Sequence, residues 1–362
     1  MRVFINIISV ENKRLLLSFL AMIFFITACI QKFDYAPERI DENILVVSGG
    51  ITNQPVVQTI MLSRTTPYGT GTYTSEPGAM IVIIENRKAI DTCIEVRDGI
   101  YQFDGAKIQP KPGNRYAIEI TTREKKVYES DQETMPEPVK PDSAYFAVHI
   151  DRIPSESGTY IFKPSLNLFI DTPVRTASGP VYLRWQVIED YSFREIRTGP
   201  QDIPKTCYMR VNPVNNQEIE LFSGADLKGG MLRGKLVLSR PTGPNYEFIN
   251  THYFLISQYS LSASTFSYWT KLKQVANPTG SFLEPPPGAV IGNVHNVINK
   301  KEIVLGYFEV AAQEYAILST VKSDLAPLLI KDPCTDNLPQ YCFDCLLLPN
   351  SSLERPSYWP PY

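Results

Sequence analysis

The chain has 362 residues, 43% hydrophobic and 20% charged, a balance that describes a folded globular protein and excludes a disordered or collagen-like one. Its 35 basic and 38 acidic side chains leave a formal charge of −3, without the cationic excess that a surface tracking nucleic acid needs. With 20 Tyr, 17 Phe and 29 Pro against 3 His, it is aromatic and turn-rich like extracytoplasmic β proteins, and poor in the commonest catalytic base.

Arg2, Lys13 and Arg14 precede an apolar run from Leu15 to Ala28, a length that suits a signal-peptide core better than a membrane-spanning helix. Cys29 follows at once. The tetrad Ile26-Thr27-Ala28-Cys29 resembles the bacterial lipobox, which implies a signal peptide over 1–28, diacylation of the Cys29 thiol with palmitate among the acyl chains, a Cys29 α-amine that becomes the new N-terminus, and a polar tether over 29–43. Several acyl chains at about 0.8 kcal/mol per buried methylene make such an anchor effectively permanent. Removing Arg2, Lys13 and Arg14 together with Glu11 takes the net charge from −3 to −5. Ile30 stands at +2, where an Asp would retain a lipoprotein in the inner membrane, so the expected location is the outer membrane, on either face.

From Ile44 to Met135 short apolar runs alternate with turn residues, as in Tyr116-Ala117-Ile118-Glu119-Ile120-Thr121 behind the turn Lys111-Pro112-Gly113-Asn114. Six or seven strands in about ninety residues predict an immunoglobulin-like β-sandwich over 44–135. The Pro-rich 136–141 reads as a stiff linker. A second, larger β-sandwich is predicted over 142–330, carrying one short helix: Ser264 is placed as its cap, with Tyr268, Leu272 and Val275 at i, i+4 and i+7 and Asn277-Pro278 as its stop. The last segment, 331–362, reads as a Cys- and aromatic-containing tail packed on that domain. The fold class is mainly β.

Chemistry-bearing motifs are few. Gly229-Gly230-Met231-Leu232-Arg233-Gly234-Lys235-Leu236 has the glycine and lysine positions of a phosphate-binding loop, but Leu236 stands where Ser or Thr must meet magnesium, and a strand follows where a helix is required. His149, His252 and His295 lack a second ligand at metal-site spacing, and no cofactor or metal is expected. No Gly-x-Ser-x-Gly elbow is present, although a triad of non-adjacent residues needs no such motif. Of the five cysteines beyond Cys29, Cys207 is expected to pair with one of Cys334, Cys342 or Cys345, and Cys93 to be a buried hydrophobe. Tyr268 with Trp269, and Tyr358 with Trp359, are candidate contact aromatics that serve equally well as core cover. Asp142-Ser143-Ala144 resembles an O-glycosylation triad, which makes Ser143 a candidate modification site.

Several blocks together resemble the Bacteroidota lipoproteins that share domain of unknown function 4249. They are Leu45 to Ile51, Leu62-Ser63-Arg64-Thr65, Ser75 to Ala79, Tyr268-Trp269-Thr270-Lys271-Leu272, Gly280-Ser281-Phe282, Pro285-Pro286-Pro287, Gly292-Asn293-Val294 and Gly306-Tyr307-Phe308. The closing Cys342-Phe343-Asp344-Cys345 and Arg355 to Trp359 are similar too, but Leu346 to Glu354 has no Gly where the family is Gly-rich. The resemblance implies an exported lipoprotein acting beside a TonB-dependent outer-membrane receptor. The expectation is a non-catalytic accessory binding or assembly protein. The alternatives are a hydrolase with a dispersed triad and a structural or adhesive surface protein.

Overall fold

The computed structural model describes residues 43–66, 72–155, 158–211, 219–242, 246–276, 289–325, 332–336 and 338–359. The predicted signal peptide, Cys29 and nearly all of the tether lie outside these residues. The protein is mainly β. Among the described residues the largest sheet has eleven strands, in the order β22 (Ser351–Ser352), β16 (Thr206–Val211), β15 (Tyr182–Arg194), β19 (His252–Leu261), β21 (Leu305–Thr320), β1 (Leu45–Thr52), β2 (Val57–Arg64), β7 (Ile100–Asp104) and β6 (Ile94–Arg97). Beside this path β17 (Glu220–Ser223) pairs with β15, and β3 (Thr74–Ser75) with β2. A second sheet runs β20 (Val294–Asn296), β9 (Val127–Ser130), β8 (Arg115–Thr121), β4 (Met80–Glu85) and β5 (Lys88–Thr92), with β10 (Glu133–Thr134) on β8. The third runs β11 (Ser143–Pro154), β12 (Tyr160–Pro173) and β18 (Met231–Pro241), and β13 (Arg175–Thr176) with β14 (Gly179–Pro180) forms a separate ribbon.

Strand alternation explains how these sheets stack. Val47, Ile60, Leu62, Tyr101, Phe308 and Val310 of the large sheet face Ile81, Ile83, Tyr116, Ile118, Ile120 and Tyr128 of the second sheet in one core. Leu183, Trp185, Val187, Phe254 and Ile256 face Leu166, Leu168, Ile170 and Val237 of the third sheet in another. The architecture is therefore two sandwiches that share one long sheet.

This sharing corrects the expected division at 136–141, because Asn43–Tyr362 forms one compact unit. β1 pairs in parallel with β21 from Val46 opposite Leu305 to Thr52 opposite Ala311, and β20 pairs with β9, so strands cross the boundary twice. The Pro-rich segment is held from both sides rather than acting as a spacer. Met135 sits in the first core and Val139 in the second, where the Val139 carbonyl accepts a 2.7 Å hydrogen bond from Gln258 Nε2.

The predicted helix is α1 (Ala263–Ala276). It begins earlier than expected because Ser262, not Ser264, caps it: Ser262 Oγ accepts from Thr265 N at 3.1 Å, and the Ser262 carbonyl accepts the first helical bond from Phe266 N at 2.9 Å. The tail is pinned by two disulfides, Cys207–Cys345 and Cys334–Cys342, while Cys93 is a buried free thiol whose pKa burial pushes up to about 12. Gly229 and Gly230 precede β18, and Gly234 sits at φ +62° in an irregular stretch of the β12–β18 ladder. Lys235 pairs with Glu220 at 2.5 Å, which is the role the structure gives to the lysine of the phosphate-loop-like motif.

Candidate functional site

Four of the resemblance-bearing blocks, Leu45 to Ile51, Tyr268 to Leu272, Gly292 to Val294 and Gly306 to Phe308, meet in one region. Gly306 and Tyr307 of β21 lie in register with Val47 and Ser48 of β1, and Gly306, at φ +82°, has no room for a side chain: a Cβ there would stand 1.9 Å from the Val47 carbonyl oxygen. Gly292 packs on Gly306 from the other side, with an added Cβ 1.6 Å from its carbonyl oxygen. Next to it, the Asn293 side chain accepts from Phe308 N and donates to Phe308 O, both at 2.9 Å, so one amide replaces a strand partner for Phe308. Farther along β2, Arg64 pairs with buried Glu76, which ties the Leu62–Thr65 block to the Ser75–Ala79 block. Residues 280–282 and 285–287 lie outside the described residues.

On the face of the large sheet turned away from the two cores is a groove of about 740 Å³, within the range of small-molecule sites. Its floor is β1, β15, β19 and β21, and α1 forms one wall with Tyr268, Trp269 and Leu272. Arg184, Tyr259 and Gln313 stand directly across three neighbouring strands, since β15 pairs Arg184 with Tyr259 and β19 pairs Tyr259 with Gln313. Glu309, two positions from Ala311 on the same face, has Gly50 as its partner on β1, so no side chain competes for its space.

The polar groups of this floor lock one another. Arg184 Nη2 donates to Glu309 Oε1 at 2.7 Å, and Trp269 Nε1 donates to the other carboxylate oxygen. The guanidinium carbon lies 4.1 Å from the Tyr259 ring centroid and 4.4 Å from that of Trp269, a cation held between two aromatic faces. Gln313 Nε2 donates to Tyr259 Oη at 3.1 Å, and Tyr259 Oη donates to Gln186 Oε1 at 3.3 Å. Burial holds the Tyr259 phenol above its ordinary pKa against the opposing pull of Arg184, with Glu309 adding to the rise, and burial followed by Glu309 does the same to Tyr268. Arg184 and Glu309 are the one cation and the one carboxylate among the lining residues, and each neutralises the other.

A second cluster fixes the wall to the sheets. The buried Glu133 carboxylate accepts from Ser262 Oγ at 2.8 Å, Ser264 Oγ at 3.1 Å, Thr265 Oγ1 at 2.7 Å and Tyr307 Oη, at the N-terminus of α1 where an anion also meets the helix dipole. Burial, then the bond to Glu133, raises the Tyr307 pKa. Tyr268 packs on Tyr307 with ring centroids 4.5 Å apart and planes tilted by 30°, so wall and floor are in ring contact.

Of the residues singled out from sequence, Tyr268 and Trp269 are half-buried in the groove wall. Tyr358 and Trp359 are elsewhere and serve the tail. Tyr358 donates to buried Asp190, which also holds Arg210 at 3.0 and 3.1 Å, and Trp359 packs on Tyr253 and Tyr208 with centroids 4.2 and 5.1 Å away. Trp359 is buried by these contacts and Tyr358 is half-buried. Ser143 is exposed at the start of β11. His149 meets Asp151 on an exposed strand, and His295 lies 3.8 Å from Asp131. His252 is fully buried between Phe248 and Phe254, 3.3 Å from Glu189, inside a charged group with Arg240 and Glu247. None of the three histidines lines the groove. No group of three or more His, Cys, Asp or Glu suited to a metal occurs among the described residues. No helix among them is long and apolar enough to cross a membrane.

The sequence profile of domain of unknown function DUF4249 matches residues 30–315, which takes in the first core, all of the second except its C-terminal edge at Leu325, the helix and every residue lining the groove. The chain belongs to the DUF4249 family. The matched region ends before Cys334, Cys342, Cys345 and the aromatic end, so the disulfide-pinned tail lies beyond it. No curated protein and no solved structure matches the chain.

Arg184, Gln186, Tyr259, Glu309 and Gln313 were not singled out from sequence. The available signal was alternation: Arg184, Gln186, Tyr259 and Glu309 sit at outward positions of predicted strands. Their assembly depends on the register of three strands far apart in the chain, which alternation does not give.

Proposed function

We propose that this protein is a Bacteroidota outer-membrane lipoprotein, anchored through Cys29, that acts as a non-catalytic binding partner of a TonB-dependent receptor. The observation that carries the binding role is the groove. It is lined in part by three of the blocks through which the chain resembles the family, its single carboxylate is occupied by Arg184 and Trp269, and its walls are aromatic and amide-bearing. A hydrolytic site needs a base or nucleophile free to act, and the histidines stand outside this groove. The shared eleven-stranded sheet supports a rigid presenting body, because the two sandwiches do not hinge at a linker. Exposed Ser143 is proposed as a glycan attachment point.

The test is capture of the tagged protein from outer membranes in mild detergent, with mass spectrometry of the co-purifying proteins. Recovery of a TonB-dependent receptor supports the reading, and recovery of the lipoprotein alone contradicts it. For the anchor, Cys29→Ala is expected to abolish labelling by radioactive palmitate and release the protein from the membrane fraction. Undiminished labelling of that variant would refute Cys29 as the acylated residue.

A further inference from the structure

We infer that the groove between α1 and the outer face of the large sheet binds an uncharged saccharide, an assignment that rests on the binding role proposed above and names its ligand class. Charge is the first discriminator. Arg184 and Glu309 are paired at 2.7 Å, and the carboxylate's second oxygen is taken by Trp269. An ionised ligand group entering this space would shed water and meet no free counter-charge, so the groove selects against ions of either sign.

Shape and hydrogen bonding narrow the class further. Arg184 covers one face of Trp269, and among the described residues no second cation or stacked ring covers the other, with Tyr268 meeting Trp269 edge-on at 6.0 Å. The face of an aromatic ring is electron-rich, and the axial C–H bonds of a pyranose present the complementary weakly positive surface. Around these rings stand polar groups with capacity to spare. Gln186 spends its carbonyl oxygen on Tyr259 while its Nε2 makes no hydrogen bond among the described residues, and the Tyr268 hydroxyl makes none either. Neutral amides and phenols that both donate and accept match sugar hydroxyls, which do the same. A neutral extended peptide fits less well. Its usual mode is to add a strand to a sheet edge, and β1, the strand along the floor, is paired on both sides by β2 and β21.

The experiment uses the full lipoprotein in mild detergent and isothermal titration calorimetry with neutral oligosaccharides of glucose, mannose, xylose and N-acetylglucosamine, with oligogalacturonate and oligolysine as charged probes. At least one neutral oligosaccharide is expected to bind, with both charged probes at least about tenfold weaker. Trp269 is the half-buried member of the three tryptophans, Trp185 and Trp359 being buried, so a ligand-induced change in emission reports on the groove. Trp269→Ala is expected to weaken binding at least about tenfold. Should that variant fail to fold, Gln186→Ala, which removes a half-buried amide from the sheet face, is expected to weaken it severalfold. Absence of binding by every neutral oligosaccharide, equal binding of a charged probe, or unchanged affinity in a folded Trp269→Ala or Gln186→Ala protein would each overturn the assignment. Receptor capture separates the two claims. A receptor recovered without saccharide binding sinks the ligand class alone, and saccharide binding without a receptor sinks the accessory role alone.

Discussion

Removing the Cys207–Cys345 bridge should be the most damaging covalent change available in the described chain. The bond closes a sequence separation of 138 residues, whereas Cys334–Cys342 closes one of 8. In the chain-entropy relation the long loop restricts the unfolded chain by about 5 kcal/mol and the short one by about 2.5 kcal/mol. Packing adds to this contrast, because both Cys207 and Cys345 are fully buried beside Tyr191, Phe193 and Met209 in the tail's own core, whereas of the short-loop pair Cys334 sits at its edge. The perturbation is the paired substitution Cys207→Ala with Cys345→Ala, compared with Cys334→Ala with Cys342→Ala, each in the mature protein. Equilibrium urea unfolding followed by tryptophan fluorescence reports the loss through the shift in midpoint, and Trp359 at the tail and Trp185 in the second core report separately if the tail detaches first. The long-loop variant is expected to lose about twice as much stability as the short-loop one. A long-loop loss no larger than the short-loop loss would show that the tail is not held through the unfolded-state entropy of this bridge.

Three further outcomes follow from particular side chains. Glu133→Ala strands the hydroxyls of Ser262, Ser264, Thr265 and Tyr307 and should cost about 3 kcal/mol in urea unfolding, with Glu133→Gln costing less because an acceptor oxygen remains. Burial pushes the Glu189 pKa up, but His252 and Arg240 outweigh it and hold the folded value below the ordinary one. A depressed carboxylate stabilises the fold above its unfolded value of about 4.3 and loses that contribution as pH falls through the folded value, so Glu189→Gln should flatten the stability profile below about pH 4.3. Arg184→Lys keeps the charge but loses the flat cation held between Tyr259 and Trp269, and should cost about 1–2 kcal/mol and shift the Trp269 emission; an unchanged spectrum would argue against the stack.

Much of the secondary structure was legible because burial alternates along it, as in Tyr182 to Glu189, where Leu183, Trp185 and Val187 point inward and Arg184 and Gln186 outward. The helix was legible too, but its start was misplaced by two residues. Ser262 and Ser264 are both good cap residues and both bond Glu133 from a distant strand, and it is the Thr265 N–H bond to Ser262 Oγ that makes Ser262 the cap. The single body was not legible. Prolines at 136–141 look like a linker, and the pairing of β1 with β21 joins residues more than 250 positions apart without a local mark. Tyr268 and Trp269 stood out as a rare aromatic pair, whereas Arg184, Tyr259 and Gln313 look like ordinary outward residues until register aligns them. That Cys207 would be bridged was readable from cysteine usage, but its partner was not, because spacing does not determine connectivity.

The central claim is a receptor-bound lipoprotein, and native mass spectrometry of material drawn from outer membranes through a C-terminal tag tests it most directly. The account predicts a species carrying one acylated copy of this chain and one TonB-dependent receptor. A spectrum containing the acylated chain alone, from membranes in which such receptors are abundant, would contradict it.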